Sequence, residues 1–138
     1  KKLVNSGIPV MGHLGLTPQS MHQLGGYKVQ GRTDGDVILE AAKALEAAGA
    51  FAIVLELVPA ELAARITAAL KIPTVGIGAG VNCDAQVLVW TDLMGITKKA
   101  PKLAKAYRNL RAEMVAAAGE FGDDVRQGQF PTEAQSFN

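Results

Sequence analysis

With a single cysteine, Cys83, the chain has no means of forming an internal disulfide, and a reducing cytoplasm is the expected location. Aromatic residues are only 5% of the sequence, too few for the stacking platforms of single-strand nucleic-acid binders. An excess of one charge is missing as well: 14 Lys and Arg stand against 13 Asp and Glu, a formal net charge of +1, with both signs spread along the chain. Nucleic-acid and membrane-surface proteins concentrate basic residues, so neither partner is expected. No apolar run approaches the roughly 18 residues of a membrane-spanning helix; the longest candidate, 47–58, is interrupted by Glu56. There is no His-Glu-x-x-His pattern, and His13 and His22 lack metal-ligand spacing. The start, Lys1-Lys2-Leu3-Val4-Asn5, has no initiator Met and no hydrophobic signal core, and reads as the interior of a longer protein.

What remains is an ordinary globular composition, 49% hydrophobic and 20% charged. Four short apolar runs, at 8–11, 51–55, 74–77 and 87–90, read as strands. Helical periodicity lies between them. Residues 36–48 place Val37, Ala41, Ala44, Leu45 and Ala48 at helical spacing, and Gly49 stops the helix. A second helix spans 59–70, with Pro59 near its first turn and Leu62, Ile66, Ala69 and Leu70 on one face. Pro73 then returns the chain to an extended conformation. Such βα alternation predicts an α/β fold of parallel strands covered by helices, either an open sheet or half of an eight-stranded barrel. A long amphipathic helix is predicted over 101–118, with Leu103, Ala106, Tyr107, Leu110 and Met114 inward and a basic stripe of Lys98, Lys102, Lys105, Arg108 and Arg111. The expected organisation is a single domain: βα units over 1–97, C-terminal helices over 98–127 and an extended tail over 128–138.

The chemistry concentrates at the ends of the expected strands, where parallel α/β proteins bind ligands. Glu56 ends the apolar run 51–55. A partly desolvated carboxylate there suits general acid–base work, although pairing with a neighbouring cation would also explain it. His13 is expected at the equivalent position of the preceding strand, either lining a pocket or bonded to backbone. His22 is read as a loop residue that covers or caps. The glycine-rich polar segment 12–32 reads as the lip of a site rather than as a helix, because each Gly there costs about 1 kcal/mol relative to Ala. Gly76-Ile77-Gly78-Ala79-Gly80 permits either a backbone anion cradle or close loop packing; Val81 excludes the dinucleotide fingerprint. Cys83 is read as a small buried residue and Asp84 as a helix cap. Asp84 and Asp92 are also weighed as cation ligands, and Trp90 is read as packing.

Several motifs in one order carry a resemblance. They are Pro9-Val10-Met11-Gly12-His13-Leu14-Gly15-Leu16-Thr17-Pro18-Gln19-Ser20, Gly25-Gly26-Tyr27-Lys28-Val29-Gln30-Gly31-Arg32, Leu55-Glu56-Leu57-Val58-Pro59, Ile72-Pro73-Thr74-Val75-Gly76-Ile77-Gly78-Ala79-Gly80 and Gln86-Val87-Leu88-Val89-Trp90. In them the chain resembles the ketopantoate hydroxymethyltransferases of pantothenate biosynthesis, from Gly7 to the closing Ser136-Phe137. The resemblance implies a (β/α)8 TIM barrel of which this chain is about the last four βα units plus C-terminal helices. It also implies transfer of a hydroxymethyl group from 5,10-methylenetetrahydrofolate to α-ketoisovalerate, through a Mg²⁺-stabilised enolate, in a cytoplasmic homo-oligomer. By resemblance Glu56 is the catalytic acid–base and His13 a substrate contact. The segment 14–32 would cover the pocket and residues 76–80 would line its floor. No metal ligand is assigned to this chain, because the family's Mg²⁺ ligands lie in the front half of the barrel. The chain alone is therefore expected to be inactive. The alternatives are a non-catalytic half-barrel fragment and a related metal-dependent keto-acid lyase or aldolase.

Overall fold

A computed structural model describes residues 1–137. The chain forms two compact units, one over Lys1–Val87 and one from Leu88 onward. The first contains α1 (Lys2–Asn5), β1 (Met11–Gly15), a 3-10 turn at Pro18–Ser20, α2 (Gly35–Ala47), β2 (Ala52–Glu56), α3 (Ala60–Ala69), β3 (Thr74–Ile77) and β4 (Ala85–Gln86). The four strands form one sheet in chain order, every neighbouring pair parallel. This is the α/β alternation expected from the sequence.

Successive side chains of a strand point to opposite faces, so each strand serves two environments. Ile53 and Leu55 of β2 face α2 and α3 and are fully buried. They join Ala42, Val58, Leu62, Ala63, Ile66 and Ala79 in the core, with Leu14, Ile38, Leu39 and Leu45 packed at its margin. The inward face of α2 is therefore Ile38, Leu39, Ala42 and Leu45, rotated from the predicted Val37, Ala41, Ala44 and Ala48; Val37 is 68% exposed. Alanine and valine fit either face by hydropathy, and only the docking direction chooses between them. In α3 the predicted Leu62 and Ile66 are inward, joined by Ala63.

Three element boundaries differ from expectation. Strand β1 begins at Met11 and runs through Gly12 to Gly15, four residues beyond the end of the apolar run that predicted it. Gly12 belongs in the strand because a Cβ there would meet Leu45 Cδ1 at 2.8 Å and Ile53 Cγ1 at 3.3 Å, so glycine lets α2 approach the sheet. Strand β4 is the pair Ala85–Gln86, and Trp90 begins a helix rather than ending a strand. No helix separates β3 from β4. The Gln86 amide donates to the Gly80 carbonyl at 2.9 Å and holds that short connection in place.

The second unit contains α4 (Trp90–Leu93), α5 (Leu110–Arg126) and a 3-10 turn at Glu133–Gln135. The predicted helix over 101–118 is displaced to Leu110–Arg126. Backbone N–H groups of Tyr107, Leu110 and Arg111 donate to the carbonyls of Leu93, Met94 and Gly95 at the end of α4. Those of Leu110 and Arg111 are first-turn groups of α5 that have no intrahelical partner, so these bonds fix where the helix starts. Asn109 then caps α5, its side chain accepting from Ala112 N–H. The predicted inward residues Tyr107 and Met114 are each 57% exposed, and the basic stripe does not lie on one helix. Trp90, expected to pack, is 60% exposed. Asn138, the last residue of the expected tail, lies outside the described residues. No described helix is long and apolar enough to cross a membrane.

Candidate active site

Strands β1 and β2 bring the two residues singled out by the sequence together. His13 Nε2 lies 3.0 Å from Glu56 Oε2, with side-chain exposures of 34% and 14%. The register pairs His13 with Val54 and Gly15 with Glu56, so His13 stands one pleat before the expected position level with Glu56. Both residues nevertheless share a face, since they are separated by an even number of register steps. An ionised carboxylate only accepts hydrogen bonds, so beside Glu56 in that form Nε2 is the donor, and in the neutral imidazole Nδ1 is then the acceptor.

The end of β2 is held from three sides. Leu16 N–H donates to the Glu56 carbonyl at 2.9 Å, Leu57 N–H to the Ile77 carbonyl at 3.0 Å, and Gln30 N–H to the Leu57 carbonyl at 2.8 Å. The glycine-rich segment therefore touches this end of the sheet through Leu16 and Gln30. His22 is exposed, and its carbonyl receives Gly25 N–H at 3.3 Å. Ile77 is the β3 register partner of Glu56 and flanks it on the same face.

The glycine motif after β3 is a packing device. A Cβ at Gly76 would meet Cys83 Sγ at 2.9 Å and Gln86 Oε1 at 3.0 Å, and one at Gly80 would meet Ala60 Cβ at 2.5 Å. Cys83, read as a small buried residue, is half-buried and packs against the margin of the core.

Asp84 does not cap a helix. Its Oδ2 accepts from Thr74 N–H at 2.8 Å and Thr74 Oγ1 at 3.0 Å, tying the loop before β4 to the start of β3. These two bonds, the backbone one foremost, hold its carboxyl below the usual carboxylate range. Thr74 is completely buried and also meets Thr67 Oγ1 at 2.8 Å, a network that the sequence reading missed. The signal for it was slight: a threonine opening a strand and an aspartate immediately before the next strand give no spacing that identifies a pair.

Among the described residues no three His, Cys, Asp or Glu side chains come together as a metal site. Among the described residues there is thus no cluster of this kind to which Mg²⁺ can be assigned. A cavity of about 580 Å³ lies beside the N-terminal ends of α2 and α3, lined by Arg32, Asp34, Asp36, Glu61 and Arg65 among others. Its lining carries both signs and includes neither His13 nor Glu56.

Known proteins share this sequence closely. The family model for ketopantoate hydroxymethyltransferase matches residues 1–133. The 3-methyl-2-oxobutanoate hydroxymethyltransferase of Frankia alni is 58% identical over 137 residues, covering 98% of this chain and 45% of the relative. The protein of the same name from Acidothermus cellulolyticus is 58% identical over 139 residues, covering 99% of this chain and 51% of its own length. The one from Moorella thermoacetica is 58% identical over 140 residues, covering 99% and 52%. The chain thus spans about half the length of the curated relatives it matches. A match over nearly all of its residues, with Glu56 and His13 brought together at the strand ends, leads to one conclusion: the chain belongs to the ketopantoate hydroxymethyltransferase family.

Proposed function

We propose that this chain is the C-terminal half of a (β/α)8 barrel that transfers a hydroxymethyl group from 5,10-methylenetetrahydrofolate to α-ketoisovalerate, giving ketopantoate. The observation that carries the reading is the His13–Glu56 pair, 3.0 Å apart on one face at the carboxyl ends of adjacent parallel strands. The reaction must remove the proton from C3 of the keto acid, where the adjacent carbonyl delocalises the electrons left behind. Glu56 is the base that takes this proton, a contribution of about 10²–10⁴-fold for a positioned general base. Water breaks the C–N bonds that hold the methylene to the folate, releasing tetrahydrofolate and supplying the oxygen of a formaldehyde-level unit. The enolate carbon then adds to that unit's carbon, and the unit's oxygen takes up a proton to become the new hydroxyl. His13 orients the carboxylate through Nε2–H and leaves Nδ1 to accept from the keto acid's new hydroxymethyl group.

Mg²⁺ would act as a Lewis acid on the keto acid, held by residues in the part of the barrel that this chain does not span. The folate co-substrate, the cytoplasmic location and assembly as a homo-oligomer belong to the same proposal. The half-open sheet face favours a barrel interior: Met11 is 47% exposed, and Val54, Val75 and Ile77 are only half-buried. By itself the chain would then be inactive. The test is hydrogen–deuterium exchange at C3 of α-ketoisovalerate, with the chain joined to the part of the Moorella thermoacetica relative that it does not cover. Exchange in the joined protein, its loss in Glu56→Gln, and none in the chain alone are the expected results. Full exchange in Glu56→Gln would remove Glu56 from the mechanism.

A further inference from the structure

The residue after Glu56 has a backbone that its type does not favour. Leu57 is the only non-glycine residue with positive φ among the described residues, at 48°. Bulky L-residues seldom occupy this left-handed region, where Cβ crowds the backbone. The conformation changes where the chain's hydrogen bonds go. Leu57 N–H still bonds to the Ile77 carbonyl, as a strand residue's would, while its own carbonyl is received by Gln30 N–H in the glycine-rich segment. Directly across from Glu56, Gly15 also has positive φ, 87°, and a Cβ there would strike the Glu56 carbonyl oxygen and come within 2.7 Å of Val58 Cγ1. That absent side chain lets Leu16 N–H reach the same Glu56 carbonyl at 2.9 Å.

From this we infer that Leu57 and Gly15 are positioning residues for Glu56. The left-handed turn at Leu57 and the bare backbone at Gly15 stop β2 at Glu56 and hold its carboxylate against His13. Neither acts through its side chain. Strain of this kind persists where the surroundings over-determine it, and here β3, through Ile77, and the glycine-rich segment, through Leu16 and Gln30, bond to residues 56 and 57. The inference rests on the reading of Glu56 as the base only for its catalytic consequence; the geometric claim stands on the His13–Glu56 pair.

The experiment compares Leu57→Gly, Leu57→Asn and Leu57→Val. Glycine and asparagine accept the left-handed region and discard the leucine side chain, whereas valine keeps an apolar side chain and resists that region. In the 138-residue chain, long-range ¹H–¹⁵N spectra of His13 report whether the imidazole proton is held on Nε2. The Gly and Asn variants are expected to keep that signature and the Val variant to lose it to a mixture of tautomers. In the joined protein, Leu57→Val is expected to lower kcat for C3 exchange by about 100-fold with KM within about twofold, the cost of misplacing a catalytic group. Retention of the signature in Val with loss in Gly and Asn would make Leu57 a packing residue and overturn the inference, as would equal behaviour of all three. If Leu57→Val fails to fold, loss of the signature in the folded Gly and Asn variants overturns the inference and its retention supports it. A parent that shows the expected His13 order but no exchange would refute Glu56 as base and leave the positioning claim standing.

Discussion

The two faces of the sheet are made from alternate residues of the same strands, yet they do different work. On the helix side, Ile53, Leu55 and Thr74 are completely buried, and Gly12 and Gly76 let neighbours close against the backbone. On the other side, Ala52 is buried at the base, but from Val54 to Glu56 the same strand is only half-covered. There the polar residues His13 and Glu56 meet each other instead of a packed wall. One strand thus separates stability from chemistry by a period of two. Burial drives folding on the helix face, where the one buried polar side chain of the strands, Thr74, has its hydrogen bonds made, and the His13–Glu56 pair occupies the face that remains open to a ligand.

That division can be broken directly. The largest effect is expected from Leu55→Ala, which should cost about 3 kcal/mol of unfolding free energy, within the range for a fully buried aliphatic side chain. Val54→Ala, one residue away on the half-open face, should cost under about 1.5 kcal/mol, and chemical denaturation measures both. Equal costs would mean that the second face is as tightly packed as the first. Glu56→Gln should leave stability within about 1 kcal/mol, because the amide keeps the shape and a hydrogen bond to His13, while abolishing C3 exchange. His13→Ala should weaken use of the keto acid more than it lowers the melting temperature; a collapse in stability with little change in turnover would assign His13 to structure alone.

The smallest expected effect concerns Asp84, on the loop between β3 and β4. Its carboxyl is held below its ordinary value by bonds from Thr74, so the folded chain binds this proton less readily than the unfolded chain. The stabilisation is therefore complete above the unfolded-state value near 4 and fades as pH falls through the lower folded-state value. Asp84→Asn should lower the melting temperature at neutral pH and flatten its decline below about pH 4. An unchanged acid limb in Asp84→Asn would show that the Thr74 contacts do not couple to folding.

Much of the fold was legible because it follows from periodicity and punctuation. Proline at 59 and 73 bracketed α3, Gly49 ended α2, and the apolar runs marked β2 and β3 within a residue. The misplaced elements failed for identifiable reasons. Glycine in β1 looked like a strand terminator, but its meaning is close approach, and only the position of Leu45 reveals that. The repeat around 101–118 has correct helical spacing, but the N–H groups of Tyr107, Leu110 and Arg111 bond to the carbonyls of Leu93, Met94 and Gly95. Local spacing cannot report such a competing long-range bond. Asp84 was read as a cap because aspartate is a common capping residue, and its partner is a threonine ten residues earlier.

From its order of residues alone, the chain determined that it would alternate strand and helix, that its strands would run parallel, and that Glu56 would stand at the end of an apolar strand. It also carried the motifs of its family. The tertiary structure decided the rest. The register between β1 and β2 set His13 against Glu56, because partners across a ladder are separated by dozens of residues and no local preference specifies which pair. The left-handed backbone at Leu57 has the same origin: a leucine would not choose it, and bonds to Ile77 of β3 and Gln30 of the glycine-rich segment hold it there.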